Sequence, residues 1–249
     1  MTDKTGMTDK IEGRNPVAEA IKSGREIDKL FIAKGSEGSI GKIIALAKQS
    51  GIVIQSVDRM KLNELSETGG HQGVIAMVAA HSYATVEDIL NRAADKGEAP
   101  FIVILDEVQD PHNLGSVLRT ANAAGAHGVI IPKRRSAGLG ATAAKVSAGA
   151  VEYTPVARVA NITQTMEELK KQNIWFFGTH QDAQCDYTAA DYSGGVGIVI
   201  GGEGEGMGRL VAEKCDFLVS IPMNGEINSL NASVAAGILM YEVLRQRSV

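Results

Sequence analysis

The sequence predicts an α/β protein in two parts, a small N-terminal α/β unit followed by a larger α/β domain, and three observations predict it. After Pro100, short uninterrupted apolar runs alternate with helix-like segments. Before residue 80, a smaller set of alternating elements closes on itself, and a polar stretch separates the two. Uninterrupted apolar runs suit strands covered on both faces of a parallel sheet, which needs crossover helices between its strands.

The elements follow in order. Met-Thr-Asp-Lys is written twice in the first ten residues, a duplicated start that is set outside the fold. Ile11-Glu12-Gly13-Arg14 spells a protease site used in expression tags, yet Gly13-Arg14-Asn15-Pro16-Val17 runs directly into a helical pattern at Val17, Ala20 and Ile21, so it reads as native. Lys29 to Ala33 predicts a strand, Ile40 to Lys48 a helix with Ile40, Ile43, Ile44 and Ala47 on one face, and Ile52 to Val57 a second strand. Thr68-Gly69-Gly70 is a turn signal, and the apolar strand Val74 to Ala79 closes the unit. The expected organisation is therefore an N-terminal domain over 11–80, a linker over 81–99 that is helical at Val86 to Ala94, and a second domain over 100–249. In that domain the strands are Phe101 to Leu105, Gly128 to Ile131, Trp175 to Gly178, Val196 to Ile200 and Phe217 to Ile221. A final helix from Asn231 to Arg247 has apolar residues on more than one stripe and is expected to be covered on two sides, one of them by a partner subunit.

Composition narrows the function classes. At 44% apolar and 22% charged residues, with no apolar run near the roughly 20 residues of a membrane span, the chain reads as a globular protein outside the membrane. The polar N-terminus lacks a secretory signal, so the cytoplasm is the expected compartment. Cys185 and Cys215 lie 30 positions apart, matching neither a disulfide scaffold nor a zinc site, and the five scattered His residues lack metal-ligand spacing, so no metal is expected. The net charge of −4 is not the footprint of a nucleic-acid binder. It is unevenly spread, however: residues 1–82 hold 11 Lys/Arg against 10 Asp/Glu, and the rest 14 against 19. Lys133, Arg134 and Arg135 form one basic run after a strand, where it could hold phosphates or be a solvated turn.

Ligands of open α/β sheets sit at the carboxyl ends of the strands, and three informative segments lie there. Phe101 to Leu105 leads into Asn113-Leu114-Gly115 and Arg119, Val196 to Ile200 into a glycine-rich loop from Gly201 to Gly208, and Phe217 to Ile221 into Pro222-Met223 and Ser229-Leu230-Asn231. Glycines at 202, 204, 206 and 208 alternate strictly, so they supply neither a dinucleotide fingerprint nor a P-loop. A nicotinamide-dependent oxidoreductase is the competing class and is weakened by that spacing. Taken singly, Asn113, Ser229 and Asn231 could cap helices, Arg119 could be a surface residue and Glu203 could face solvent.

Taken together, Asn113-Leu114-Gly115 with Arg119, Gly201-Gly202-Glu203-Gly204, and Ile221-Pro222-Met223 with Ser229-Leu230-Asn231 resemble the three signature motifs of the SpoU (TrmH/RlmB) class of RNA 2'-O-methyltransferases. Gly13-Arg14-Asn15-Pro16-Val17 and His71-Gln72-Gly73 resemble the small RNA-binding domain of its RlmB-like branch. The resemblance implies a SPOUT fold, an α/β domain with a C-terminal trefoil knot, working as a homodimer in which both subunits shape the site. No sequence pattern predicts the knot, since chains are generally unknotted. It further implies S-adenosylmethionine as cofactor, held at Thr179, Gly201, Ile221 and Leu230, with Arg119 at the reacting hydroxyl and Asn113, Glu203, Ser229 and Asn231 around it. The class casts this arginine as general base. A guanidinium with a pKa above roughly 12 suits stabilisation of a developing oxyanion better, with an RNA phosphate helping to take the proton. Lys133, Arg134 and Arg135 become expected phosphate contacts, and the branch implies a guanosine of 23S ribosomal RNA, with a tRNA ribose as alternative. One departure, at Asn224 and Glu226-Ile227-Asn228, varies the third motif before Ser229.

Overall fold

Alternating buried positions at helical spacing fold the N-terminal part around a core of its own. The computed structural model describes residues 10–36, 38–181, 183–204, 206–226 and 229–248. Met1 to Asp9, and Ile227-Asn228 within the departure noted above, lie outside the described residues. The described residues form two compact units, one within 10–82 with 138–141 and one within 83–137 with 142–248.

In the first unit the order is β1 (Lys10–Glu12), α1 (Arg14–Lys22), β2 (Ile27–Ala33), α2 (Ile40–Gln49), β3 (Ile54–Val57), α3 (Arg59–Leu65) and β4 (Val74–Val78). Its sheet runs β1-β4-β2-β3, with β2 and β3 parallel and the other pairs antiparallel. Val17, Ala20 and Ile21 of α1 and Ile40, Ile43 and Ala47 of α2 are buried against Leu30, Ile32, Val74 and Ala76 of the sheet. One expectation is corrected here. Lys10, set outside the fold with the duplicated start, opens β1 and pairs with Met77. A three-residue strand ending at Glu12 carries too little apolar signal to be seen in sequence, and its place comes from pairing with β4.

The second unit begins before Pro100. Its first helix, α4 (Val86–Asp95), is capped by Thr85, whose hydroxyl accepts from the Asp88 backbone N–H at 3.1 Å while the Asp88 carboxylate accepts from the Thr85 N–H at 2.7 Å. Ile89 and Ala93 of this helix are buried, so the stretch between 81 and 99 includes a packed element. There follow β5 (Phe101–Asp106), α5 (Pro111–Ala123), β6 (Gly128–Pro132), α6 (Ala141–Val146), β7 (Val156–Val159), α7 (Ile162–Lys170), β8 (Ile174–Thr179), β9 (Cys185–Asp186), β10 (Gly195–Gly201), α8 (Arg209–Lys214), β11 (Phe217–Ser220) and α9 (Ala232–Arg247). The sheet runs β7-β6-β5-β10-β8-β11-β9, and every pairing in it is parallel. All residues of β5 and β10 are buried, as strands covered on both faces must be.

Parallel pairing puts the strand ends on one edge. Asp106 of β5 lies opposite Gly201 of β10, and Val219 of β11 lies opposite Thr179 of β8. Helix α9 packs on α5 and β10 through Ala236, Leu239, Met240 and Val243, while Val234 and Tyr241 on its other side are half-exposed. Among the described residues, no helix is long and apolar enough to cross a membrane.

Candidate active site

Helix α5 starts where β5 hands the chain to Asp110-Pro111. Asp110 caps it by accepting from the His112 N–H at 2.8 Å, and Pro111, which has no N–H to satisfy, sits at the first position. The cap is thus taken, and Asn113, one turn in and only 4% exposed, is free to point elsewhere. Its amide nitrogen donates to the carboxylate of Glu203, and its amide oxygen accepts from Asn231 Nδ2 at 2.9 Å. Two places further along α5, Gly115 is required by packing, because a Cβ there would stand 2.7 Å from the Ala143 carbonyl and from the Val146 side chain of α6.

Asn231 serves both roles that its sequence position allows. Its Oδ1 caps α9 by accepting from the Ser233 N–H at 2.9 Å and the Ser233 hydroxyl at 2.6 Å. Its Nδ2 meanwhile donates to Asn113 and, at 3.4 Å, to Glu203 Oε1. Three residues from three segments therefore meet in one polar cluster, each donor and acceptor of which holds the next in place.

The glycine-rich loop that carries Glu203 is shaped by the chain itself. The Gly206 N–H donates to the Gly202 carbonyl at 3.2 Å, and a Cβ on Gly201 would stand 2.1 Å from the Gly206 carbonyl carbon and the Met207 nitrogen. Gly204 and Gly206 have φ of 92° and 70°, which only glycine adopts readily. Among the described residues, the alternating glycines thus serve a tight turn packed on β10. Asp106, a residue that the motifs did not single out, closes the loop: its buried carboxylate accepts from the Gly208 N–H at 2.8 Å. Burial pushes its pKa up from 3.8, with Glu107 adding to the rise and the Gly208 hydrogen bond opposing it. An acidic residue ending an apolar strand was the available signal.

The other expected residues are placed as follows. Thr179, with its hydroxyl 3.5 Å from the Val199 carbonyl, ends β8, Gly201 ends β10, and Ile221 follows β11. Leu230 and Met223 are each 38% exposed on the loop between β11 and α9, where apolar side chains gain by covering a ligand. Ser229 is exposed and takes no part in the cluster or the α9 cap. Arg119 is not brought to the cluster within one chain. It lies six residues beyond Asn113, about 9 Å along the helix and roughly 240° around it, and is exposed. Among the described residues it has no ion pair. Of the basic run, Arg135 pairs with Glu107 at 2.9 Å, while the side chains of Lys133 and Arg134 are exposed. Among the described residues, no three His, Cys, Asp or Glu gather as metal ligands.

Comparison with known proteins places this geometry. Residues 100–241 match the model of the SpoU rRNA Methylase family, and residues 10–84 match a domain described as RNA 2'-O ribose methyltransferase substrate binding. A Bacillus subtilis protein named for the TrmH family of tRNA/rRNA methyltransferases is 53% identical over 241 residues, 96% of each chain. Among solved structures, the SpoU methyltransferase AviRb of Streptomyces viridochromogenes, in complex with AdoMet, is similar at a TM-score of 0.62 and 25% identity, covering 96% of this chain and 90% of that one. An AdoMet-bound rRNA methyltransferase of Sinorhizobium meliloti is similar at a TM-score of 0.60 and 27% identity, covering 95% and 86%. The parallel sheet with its strand-end polar cluster, preceded by a substrate-binding unit, belongs to a SPOUT-fold RNA methyltransferase, and the chain is a member of the SpoU family.

Proposed function

We propose that the chain methylates the 2'-hydroxyl of a ribose in RNA, a guanosine of 23S ribosomal RNA, using S-adenosylmethionine and working as a homodimer. The observation that carries this reading is the Asn113–Glu203–Asn231 cluster, with Met223 and Leu230 partly exposed on the loop that leads from β11 to Asn231. That surface fits the cofactor, which has an apolar purine face and polar ends. Thr179, Gly201, Ile221 and Leu230 would hold it, largely through strand-end backbone. When bound, it supplies an electrophilic methyl group on a sulfonium.

The chain's own work is to align a poorly nucleophilic hydroxyl and to stabilise the charge that grows on its oxygen. The polar cluster fixes the strand-end loops against one another. Arg119, facing away from the cluster of its own chain, reaches the cluster of a second copy across the dimer, where its guanidinium stabilises the 2'-oxygen. The exposed Val234 and Tyr241 of α9 supply apolar surface for that association. Lys133 and Arg134 hold RNA phosphates, with Arg135 kept at Glu107. The name of the Bacillus relative covers tRNA as well as rRNA, and a tRNA ribose is the second reading.

The test is transfer from methyl-labelled S-adenosylmethionine to protein-free 23S ribosomal RNA and to tRNA, followed by digestion to nucleosides. Label in 2'-O-methylguanosine from 23S RNA is expected. Label in tRNA alone selects the second reading, and label on a base in either RNA contradicts both.

A further inference from the structure

The first unit holds a cavity of about 560 Å³ lined by Arg14, Lys34, Arg59 and Gln72 and by the backbone turns at Gly35 and Gly73. It opens at the carboxyl end of β2, where Ala33 meets Gly73, the edge at which open α/β sheets take ligands. Among the described residues, no Asp or Glu lines it, although the chain as a whole carries a net charge of −4. Three cations converge there from separate elements: Arg14 begins α1, Lys34 follows β2, and Arg59 begins α3. Lys34 is balanced by Asp58 at 3.0 Å. Arg59 is exposed and, among the described residues, has no carboxylate partner.

The walls are held rather than loose. Arg14 Nε donates to the Gln72 carbonyl at 3.1 Å and its Nη1 to the Ser39 hydroxyl at 3.1 Å, so the guanidinium is fixed at the cavity. The turn bearing Gln72 is pinned by buried His71, whose Nδ1 accepts from the Gly73 N–H at 3.0 Å and whose Nε2 is hydrogen-bonded to Asn63 at 2.8 Å. Gln72 is itself held at a φ of 49°, a conformation disfavoured outside glycine. A site of about 300 to 1,000 Å³ suits a group of small-molecule size and is too narrow for a nucleic-acid duplex.

We propose that this pocket receives an unpaired nucleotide of the RNA substrate, remote from the one methylated, with Arg59, Lys34 and Arg14 on its flanking phosphates. The inference rests on the reading of the chain as an RNA methyltransferase and adds where the first unit grips the RNA. Its two exposed cations carry the test, because Arg14 also braces the fold.

Full-length wild type, Arg59→Glu and Lys34→Glu are compared by fluorescence anisotropy on protein-free 23S ribosomal RNA across a salt series. Methyl transfer, S-adenosylmethionine binding and thermal midpoint are measured on each. We expect Arg59→Glu to weaken RNA binding about tenfold or more and to lower the slope of log affinity against log salt by roughly 0.7 for each single-strand phosphate that is no longer neutralised. KM for RNA rises while kcat stays within about twofold, and cofactor binding and melting are unchanged. Unchanged RNA affinity and salt slope in both variants overturn the pocket. So does guanosine monophosphate binding that the variants abolish while their RNA affinity stays intact, since that marks a free-nucleotide site. Wild-type methylation with unaffected variants rejects the pocket alone. Wild type that binds RNA through these residues yet transfers no methyl supports the pocket and rejects the enzymatic reading instead.

Discussion

Asn231 donates its side-chain amide to Asn113 at 2.9 Å across 118 positions of sequence, while the oxygen of the same amide caps helix α9. One side chain thus ties the start of the last helix to the start of α5 and to the Glu203 loop. Asn113→Ala and Asn231→Ala should each lower methyl transfer strongly, and the double variant should lose less than the two losses combined. In a double-mutant cycle on stability the coupling should be about 1 kcal/mol, read from urea midpoints. Independent, additive effects would mean that the two amides do not act as a unit.

Arg119 gives the sharpest test of subunit sharing. Arg119→Ala and Arg119→Lys should keep cofactor binding and lose methyl transfer, since neither an absent nor a point-charge side chain reproduces the planar guanidinium. Arg119→Ala mixed with Asn231→Ala, each inactive alone, should recover about a quarter of wild-type activity, because half of the randomly formed dimers contain one intact site. No recovery after verified subunit exchange would place each site within one chain.

Gly201→Ala should cost more than the usual Gly-to-Ala change. Its Cβ would stand 2.1 Å from the Gly206–Met207 backbone, so the loop bearing Glu203 must move. A large fall in cofactor affinity and methyl transfer is expected, with the melting temperature also reduced. Gly194→Ala, where a Cβ meets nothing within 4 Å, serves as the control.

His127 makes stability depend on pH. It is fully buried, its Nδ1 accepts from the Phe101 N–H at 2.9 Å, and its Nε2 is 3.0 Å from Glu98, which it meets as the neutral Nε2–H tautomer. Burial holds its pKa below 6.5 against the upward pull of Glu98. The unfolded chain therefore takes up a proton that the folded one resists, so this contribution is intact above 6.5 and is lost as the pH falls from there toward the lowered value. The urea midpoint should drop between about pH 7.5 and 5.5, and His127→Gln should shrink that drop. An equal drop in the variant would assign the pH dependence to other groups.

Much of the second unit was legible because β5, β6, β8, β10 and β11 are apolar on both faces and write themselves as uninterrupted runs. β7 was not, since Arg158 interrupts a four-residue strand after Pro155, and neither was β9, which is two residues long. Periodicity also placed Asn113, Glu203 and Asn231 on strand-end loops. It could not show that they touch, because that depends on β10 entering the sheet between β5 and β8, an order that no local pattern encodes. The same limit hid Asp106 as the anchor of the glycine loop and the pocket at Arg14, Lys34 and Arg59, which three separate elements assemble. The double duty of Asn231 shows why helix capping and a role in the site could not be separated from sequence: both hold at once.

Ribose methylation of 23S ribosomal RNA by this chain is tested most directly by mapping 2'-O-methyl groups at nucleotide resolution in RNA from cells with and without its gene. One guanosine should lose its 2'-O-methyl group in the deletion and regain it when the wild-type chain is restored, and the Arg119→Ala variant should not restore it. An unchanged 2'-O-methylation pattern across 23S RNA would contradict the proposed activity.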